Sequence, residues 1–222
     1  MAEQPPRRPK REDIQGLRAL AVLLVVAAHS GVPGVAGGFV GVDVFFVLSG
    51  FLITGLLIGE GERFEKISLA GFYSRRARRI LPAATLVLIA TIAFTAVWEA
   101  TADLEVVVTD AIWSAVFLAN VHFAVIGTNY SDGEAPSAMQ HYWSLGVEEQ
   151  FYLVWPLLFI ALLALKARRR HLVLAVAGVW LLSLAWSVWT TTDSPITAYF
   201  SSPARAYELA TGALVAVAAP WL

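Results

Sequence analysis

The chain has 222 residues, of which 58% are hydrophobic and only 15% charged, and its mean hydropathy is +0.65. Those values lie far above a water-soluble domain and point to a helical membrane protein. The formal net charge of −1 selects no class of partner, and the absence of cysteine excludes disulfides, thiolate catalysis and cysteine-ligated metals.

Residues 1–12 are basic and Pro-rich and are expected to form a disordered tail. A basic start before an apolar run resembles a cleavable signal, but Arg18 interrupts the run and a second span follows at once, so the first helix is expected to be retained. Residues 14–31 and 39–58 read as two spans joined by a turn from Val32-Pro33-Gly34 to Gly37-Gly38. Residues 59–79 read as a polar loop ending in FYSRRARR, and 80–98 as a third span with Pro82 near its start. Residues 106–126 are apolar but contain Thr109, Asp110, Ser114, Asn120 and His122. After a polar loop at 127–141, residues 146–165, 172–190 and 205–222 read as further spans. The expected fold is all-α, a polytopic bundle of about six spans. No internal repeat is visible.

The sixteen Lys and Arg are sorted by loop. Four lie in the N-terminal tail, six between Arg63 and Arg79, and four between Lys166 and Arg170, whereas the connections 32–38, 99–105, 127–141 and 191–203 hold none. The positive-inside rule makes the three basic regions cytoplasmic, with the N-terminus inside. Residues 80–98 and 146–165 already supply the two crossings that parity allows between the later basic loops. The stretch 106–126 is therefore expected not to cross fully, being re-entrant or lying against the bundle from outside.

Four constellations carry candidate chemistry. Arg18 and His29 are eleven residues apart, which puts them on one helical stripe about 16 Å apart along the axis. With Asp43 on the next helix they look like the lining of an intramembrane site, since ionisable groups in a span are costly unless functional. A neutral imidazole accepts a hydroxyl proton near pH 7, making His29 a natural general base. Arg18 stays protonated and suits an anion or an acyl oxygen. The plainer reading has Arg18 snorkelling and His29 capping the outer helix end.

In Arg75-Arg76-Ala77-Arg78-Arg79, Arg76 and Arg79 face one way, and their guanidinium forks match phosphate oxygens; the plainer reading is a topogenic charge cluster. In the stretch from His141 to Tyr152, Ser144, Glu148 and Tyr152 share a helical face. Its plainer reading is an interfacial helix start with Trp and Tyr anchors. Near Ser201, Ser202 reads as an N-cap with Pro203 at the first helical position, and Arg205 and Glu208 are spaced to neutralise each other. The four histidines lack metal-ligand spacing, no phosphate-binding Gly-rich loop is present, and the arginine clusters lack the interleaved aromatics of a nucleic-acid surface. No metal, bound cofactor or nucleic-acid partner is expected.

Taken in order, five patches resemble the acyltransferase-3 family of integral membrane O-acyltransferases. They are Asp13-Ile14-Gln15-Gly16-Leu17-Arg18 with His29, the run Gly41 to Ile53, the run Phe72 to Pro82, Tyr142-Trp143-Ser144-Leu145 through Glu148 to Tyr152, and, more weakly, Pro203 to Leu209. The resemblance implies acyl-CoA (acetyl-CoA) as cytoplasmic donor and a hydroxyl of a cell-surface carbohydrate, of peptidoglycan or lipopolysaccharide type, as acceptor. It implies catalytic His29 and Arg18, and substrate-binding Arg76 and Arg79. Asp43, Glu148 and Arg205 join the candidate substrate site, with Asp43 or Glu148 as candidates to orient His29. The family's bundle has about ten spans, so 13–222 is expected to be a membrane acyltransferase domain truncated at its C-terminus. Competing readings are a transporter or export component, an inactive fragment, and a serine hydrolase acting through Ser144. The first would predict an inverted repeat, and the last lacks a nucleophile elbow.

Overall fold

The computed structural model describes residues 11–98, 101–128 and 137–219, and every regular element among them is helical. The helices are α1 (Glu12–His29), α2 (Val40–Phe64, entered through a 3-10 turn at Ala36–Phe39), α3 (Leu69–Trp98), α4 (Thr101–Ala115) and α5 (Ala119–Ile126). They continue with α6 (Tyr142–Ala164), α7 (Arg169–Asp193), α8 (Pro195–Phe200) and α9 (Ser202–Ala218). Four stretches are long and apolar enough to cross a membrane: Ala36–Phe64, Leu69–Trp98, Tyr142–Ala164 and Arg169–Asp193. Their outward faces are apolar, with Leu86 68% and Leu182 75% exposed, as expected of helices facing lipid tails. Of the expected tail, residues 1–10 lie outside the described residues, and Glu12 already belongs to α1.

Local chemistry sets the helix ends. Glu12 and Asp13 complement the positive end of α1. The helix closes where Gly31 turns left-handed (φ 68°), so that its N–H reaches Ala28 O and the N–H of Val32 reaches Ala27 O. The N-cap of α9 is Ser201, one residue earlier than the sequence suggests: its Oγ accepts from the N–H of Ala204, while Ser202 Oγ is engaged with Gln150.

The larger correction concerns residues 59–79. Instead of a polar loop, 40–64 is one helix and 69–98 another, joined by a short connection in which Glu65 is left-handed. Arg, Ala and Leu are strong helix formers, and nothing between Phe72 and Leu81 breaks the helix, so FYSRRARR forms the early turns of α3. The stretch 106–126 is broken at Phe117 (φ 59°) into α4 and α5, of 15 and 8 residues.

The centre of the bundle is the crossing of α2 and α9, which run parallel. Asp43 meets Arg205 near the start of both helices, and Ile53 and Leu57 meet Ala213 and Val217 further along. Two glycines allow the close approach. A Cβ on Gly50 would lie 1.8 Å from Leu209 O, and one on Gly212 1.8 Å from Val47 O. α6 lies beside α2 in the same direction, with Ser49 bonded to Glu148 and the Trp155 indole N–H donating to Thr54 Oγ1 at 2.9 Å. α3 runs against α6: Tyr73 OH donates to Leu153 O, and Tyr142 OH to Ala84 O. α7 runs against α9, with Trp180 Nε1–H donating to Thr211 and Arg169 donating to Val217 O.

These pairings gather Glu62, Ile67, Ala167 and Arg169 around one cavity, so the two described basic connections share one end of the bundle. At the other end a buried polar knot joins four helices and the α4–α5 corner. Asn120 Nδ2 donates to Phe200 O and Ser202 Oγ, and Gln150 Nε2 donates to Asn120 Oδ1 and Phe117 O. Asp110 accepts from His122 and Ser137, tying α4 to α5 and to the chain entering α6.

Candidate active site

Four helices converge on a cavity of about 240 Å³ lined by Arg18 of α1, Ser49 of α2, Arg76 and Arg79 of α3, and Leu145, Glu148 and Tyr152 of α6. Arg76 and Arg79 reach it together because the arginine run is helical, which stacks them one turn apart. Arg18 is placed by α1 folding back on α2, its guanidinium 5.9 Å from the Phe45 ring.

The carboxylates of α6 organise the floor. Glu148 Oε1 accepts from both Ser49 Oγ and Tyr152 OH at 2.5 Å. Arg76 Nη2 donates to Glu149 at 2.8 Å and stands 4.0 Å from Glu148, and Arg76 Cζ lies 3.4 Å from the centre of the Tyr152 ring. Arg76 Nε is buried without a partner, a donor left for an incoming acceptor. Three guanidinium groups against two carboxylates leave the site cationic. Its volume, positive charge and unpaired N–H suit an anionic ligand.

A second, apolar cleft of about 280 Å³ adjoins it, lined by Val22, Val25 and Val26 of α1, Val42, Phe45 and Phe46 of α2, and Ser144, Leu145 and Glu148 of α6. Arg18, Val22 and Val25 follow one another up one face of α1, and His29 is the next turn. His29 Nδ1 lies 2.8 Å from Val25 O. A carbonyl can only accept, so Nδ1 carries a hydrogen, which leaves Nε2 as the nitrogen on which a lone pair can be offered. His141, the N-cap of α6, stands near this end. Packing around its ring lowers its pKa below the usual imidazole value; the Ala138 backbone opposes that shift and the neighbouring His29 adds to it.

The predicted residues thus divide into three places. Arg18, Arg76, Arg79 and Glu148 share one cavity. His29 is exposed, one turn beyond Val25 on α1, and lines neither cavity. Asp43 and Arg205 form a separate cluster, in which Arg205 is 3.3 Å from Asp43 and 2.6 Å from Glu208, donates to Tyr199 O, and lies against Trp143 and Tyr199. Ser144 Oγ donates to His141 O at 3.3 Å. Sequence reasoning missed Ser49 and Glu149 as site residues and noted Tyr152 only for its face. The i, i+4 spacing of Glu148 and Tyr152 was the available signal, and nothing local marked Ser49. Among the described residues no cluster of three or more His, Asp or Glu could hold a metal ion.

The fold and site define a multi-pass helical membrane protein with a cationic pocket inside its bundle. Residues 11–222 match the family model described as an acyltransferase domain, and the chain belongs to that acyltransferase-3 family. It is 35% identical over 211 residues to the peptidoglycan O-acetyltransferase OatA of Listeria monocytogenes, covering 94% of this chain and 34% of that protein. It is 36% identical over 217 residues to the putative peptidoglycan O-acetyltransferase YrhL of Bacillus subtilis (93% and 33%), and 34% identical over 206 residues to the O-acetyltransferase OatA of Staphylococcus aureus (91% and 34%). The chain therefore spans about a third of the length of these relatives. No solved structure matches it.

Proposed function

We propose that this chain is the membrane acyltransferase domain (residues 13–222) of an enzyme that moves an acyl group, acetyl, from cytoplasmic acyl-CoA to a hydroxyl of an extracytoplasmic glycan. The observation that carries the reading is the single cavity joining Arg18, Arg76, Arg79, Glu148 and Tyr152, continued by an apolar cleft toward His29. The relatives' names, peptidoglycan O-acetyltransferases, support a peptidoglycan-type acceptor.

The protein sits in the cell membrane with its N-terminus cytoplasmic. The clustering of basic connections at one end of the bundle supports that orientation. α1, α2, α3, α6, α7 and α9 make six crossings. α4 and α5 enter from the outer side and return, a reading supported by the reversal at Phe117 and by its carbonyl accepting from Gln150 inside the bundle.

Arg76 and Arg79 hold the donor phosphates and Arg18 guides the arm that bears the thioester. No cofactor is required. His29 Nε2 takes the proton of the acceptor hydroxyl. Its oxygen attacks the thioester carbonyl, the carbon–sulfur bond breaks, and the thiolate leaves as free coenzyme A after taking up a proton. Asp43 and Arg205 shape the outer wall where the acceptor arrives.

The test is donor consumption in membranes carrying the chain, beside the same chain with His29→Ala or His29→Gln, with mass spectrometry of surface glycans. Turnover in the parent and a loss of at least 100-fold in both variants is expected. Equal turnover in parent and variants would remove His29 from the mechanism.

A further inference from the structure

We infer that Leu145 sets the length of acyl group this site accepts, by standing between the reaction cleft and a third chamber that is open on one side. This rests on the acyl-donor reading above. The third chamber, about 330 Å³, lies between α3 and α6 and is lined by Arg79, Ile80, Ala83, Ala84, Val87, His141, Tyr142 and Leu145. The arginine cavity shares Arg79 and Ile80 with it, and shares Glu148 with the apolar cleft. Leu145 lines all three spaces, and it is the one residue common to the cleft and the chamber. The chamber, bordered by α3 and α6, and the cleft, bordered by α1, α2 and α6, therefore meet at one side chain.

The consequence follows from where the donor must run. Phosphates held at Arg76 and Arg79 and a thioester presented toward His29 place the arm in the cleft, along Val22, Val25 and Val26. The acyl carbons then point into the space left beside Ser144 and Leu145. A two-carbon group needs little room there. A longer chain must enter the chamber, whose α3 wall is small and apolar at Ala83, Ala84 and Val87, and the Leu145 isobutyl group stands in the way. Packed side chains discriminate strongly here, since one extra methylene without space costs about tenfold or more.

Leu145 bonds to nothing polar through its side chain and is half-buried, so it is replaceable without stranding a partner. Binding of acetyl-, butyryl- and hexanoyl-CoA is measured on the purified full chain in lipid nanodiscs, for the parent, Leu145→Val and Leu145→Ala. The parent is expected to bind acetyl-CoA best and to lose affinity with each added carbon pair. Leu145→Ala should invert that order, gaining about fourfold for each methylene admitted to the chamber. Leu145→Val should fall between, which keeps the test sound if the alanine variant is poorly folded. Refilling the chamber in the double variant Leu145→Ala/Ala83→Leu should restore the preference for acetyl-CoA.

If the parent binds all three donors alike, or the variants keep the parent's order, the inference is overturned while the acyl-donor reading stands. If neither parent nor variants bind any of the three, the donor reading itself falls, and the inference with it.

Discussion

Gly212→Ala and Gly50→Ala test the central crossing directly. The new Cβ at residue 212 would sit 1.8 Å from Val47 O and 2.6 Å from Phe51 N, and at residue 50 it would sit 1.8 Å from Leu209 O. A carbon and a carbonyl oxygen need about 3.3 Å. The obstacle is backbone, so no rotamer change relieves it, and α2 and α9 must separate by roughly 1.5 Å at the crossing. That places the cost at the upper end for overpacking, about 3 kcal/mol or around a hundredfold in the unfolding equilibrium. Gly55 is the internal control. It lies in the same helix, is exposed, and a Cβ there meets nothing within 4 Å. Removing glycine's backbone freedom at that position should stabilise the helix by about 0.5–1 kcal/mol. Reversible unfolding in mixed micelles titrated with sodium dodecyl sulfate reads all three variants. Opposite signs are expected within one helix. A change under about 0.5 kcal/mol for Gly212→Ala, or equal damage from Gly55→Ala, would refute the claim that close backbone approach holds this bundle together. Ser49 directly precedes Gly50, so acyl transfer should fall with stability in Gly50→Ala.

Arg79→Ala should raise the KM for acyl-CoA by about 10–100-fold with a smaller change in kcat, as expected for loss of one charge-assisted phosphate contact; steady-state kinetics in nanodiscs read the split. Glu148→Gln weakens two charge-assisted hydrogen bonds without removing the oxygen, so thermal unfolding should show about 1–2 kcal/mol of lost stability, with a larger loss in Glu148→Ala. Asn120→Ala removes three hydrogen bonds from the buried knot, to Phe200 O, Ser202 Oγ and from Gln150 Nε2, while Gln150 keeps Phe117 O and Ser202. It should cost about 2–3 kcal/mol and make α4 and α5 more susceptible to proteolysis.

The apolar runs determined that helices would form near 14–31, 39–58, 80–98, 146–165, 172–190 and, of the expected 205–222, over the part within the described residues (220–222 lie outside them), because a segment with no polar neighbour in lipid must satisfy its own backbone. The helical period determined that Arg76 and Arg79 would share a face, and the turn from Val32-Pro33-Gly34 to Gly37-Gly38 marked the reversal after α1. Local charge density misled at FYSRRARR. Polar residues suggested a loop, whereas their helix propensity and the packing of Phe72 and Tyr73 against α6 extend α3 through them.

Tertiary structure alone decided the partners. No local pattern says that Ser49 reaches Glu148 across 99 residues of chain, that Asp43 belongs with Arg205 and Glu208, or that Leu145 stands between three cavities. Those outcomes depend on which helix faces meet and in what register. That register is set by the glycine contacts of α2 with α9 and by the polar knot around Asn120, contacts between residues far apart in the chain.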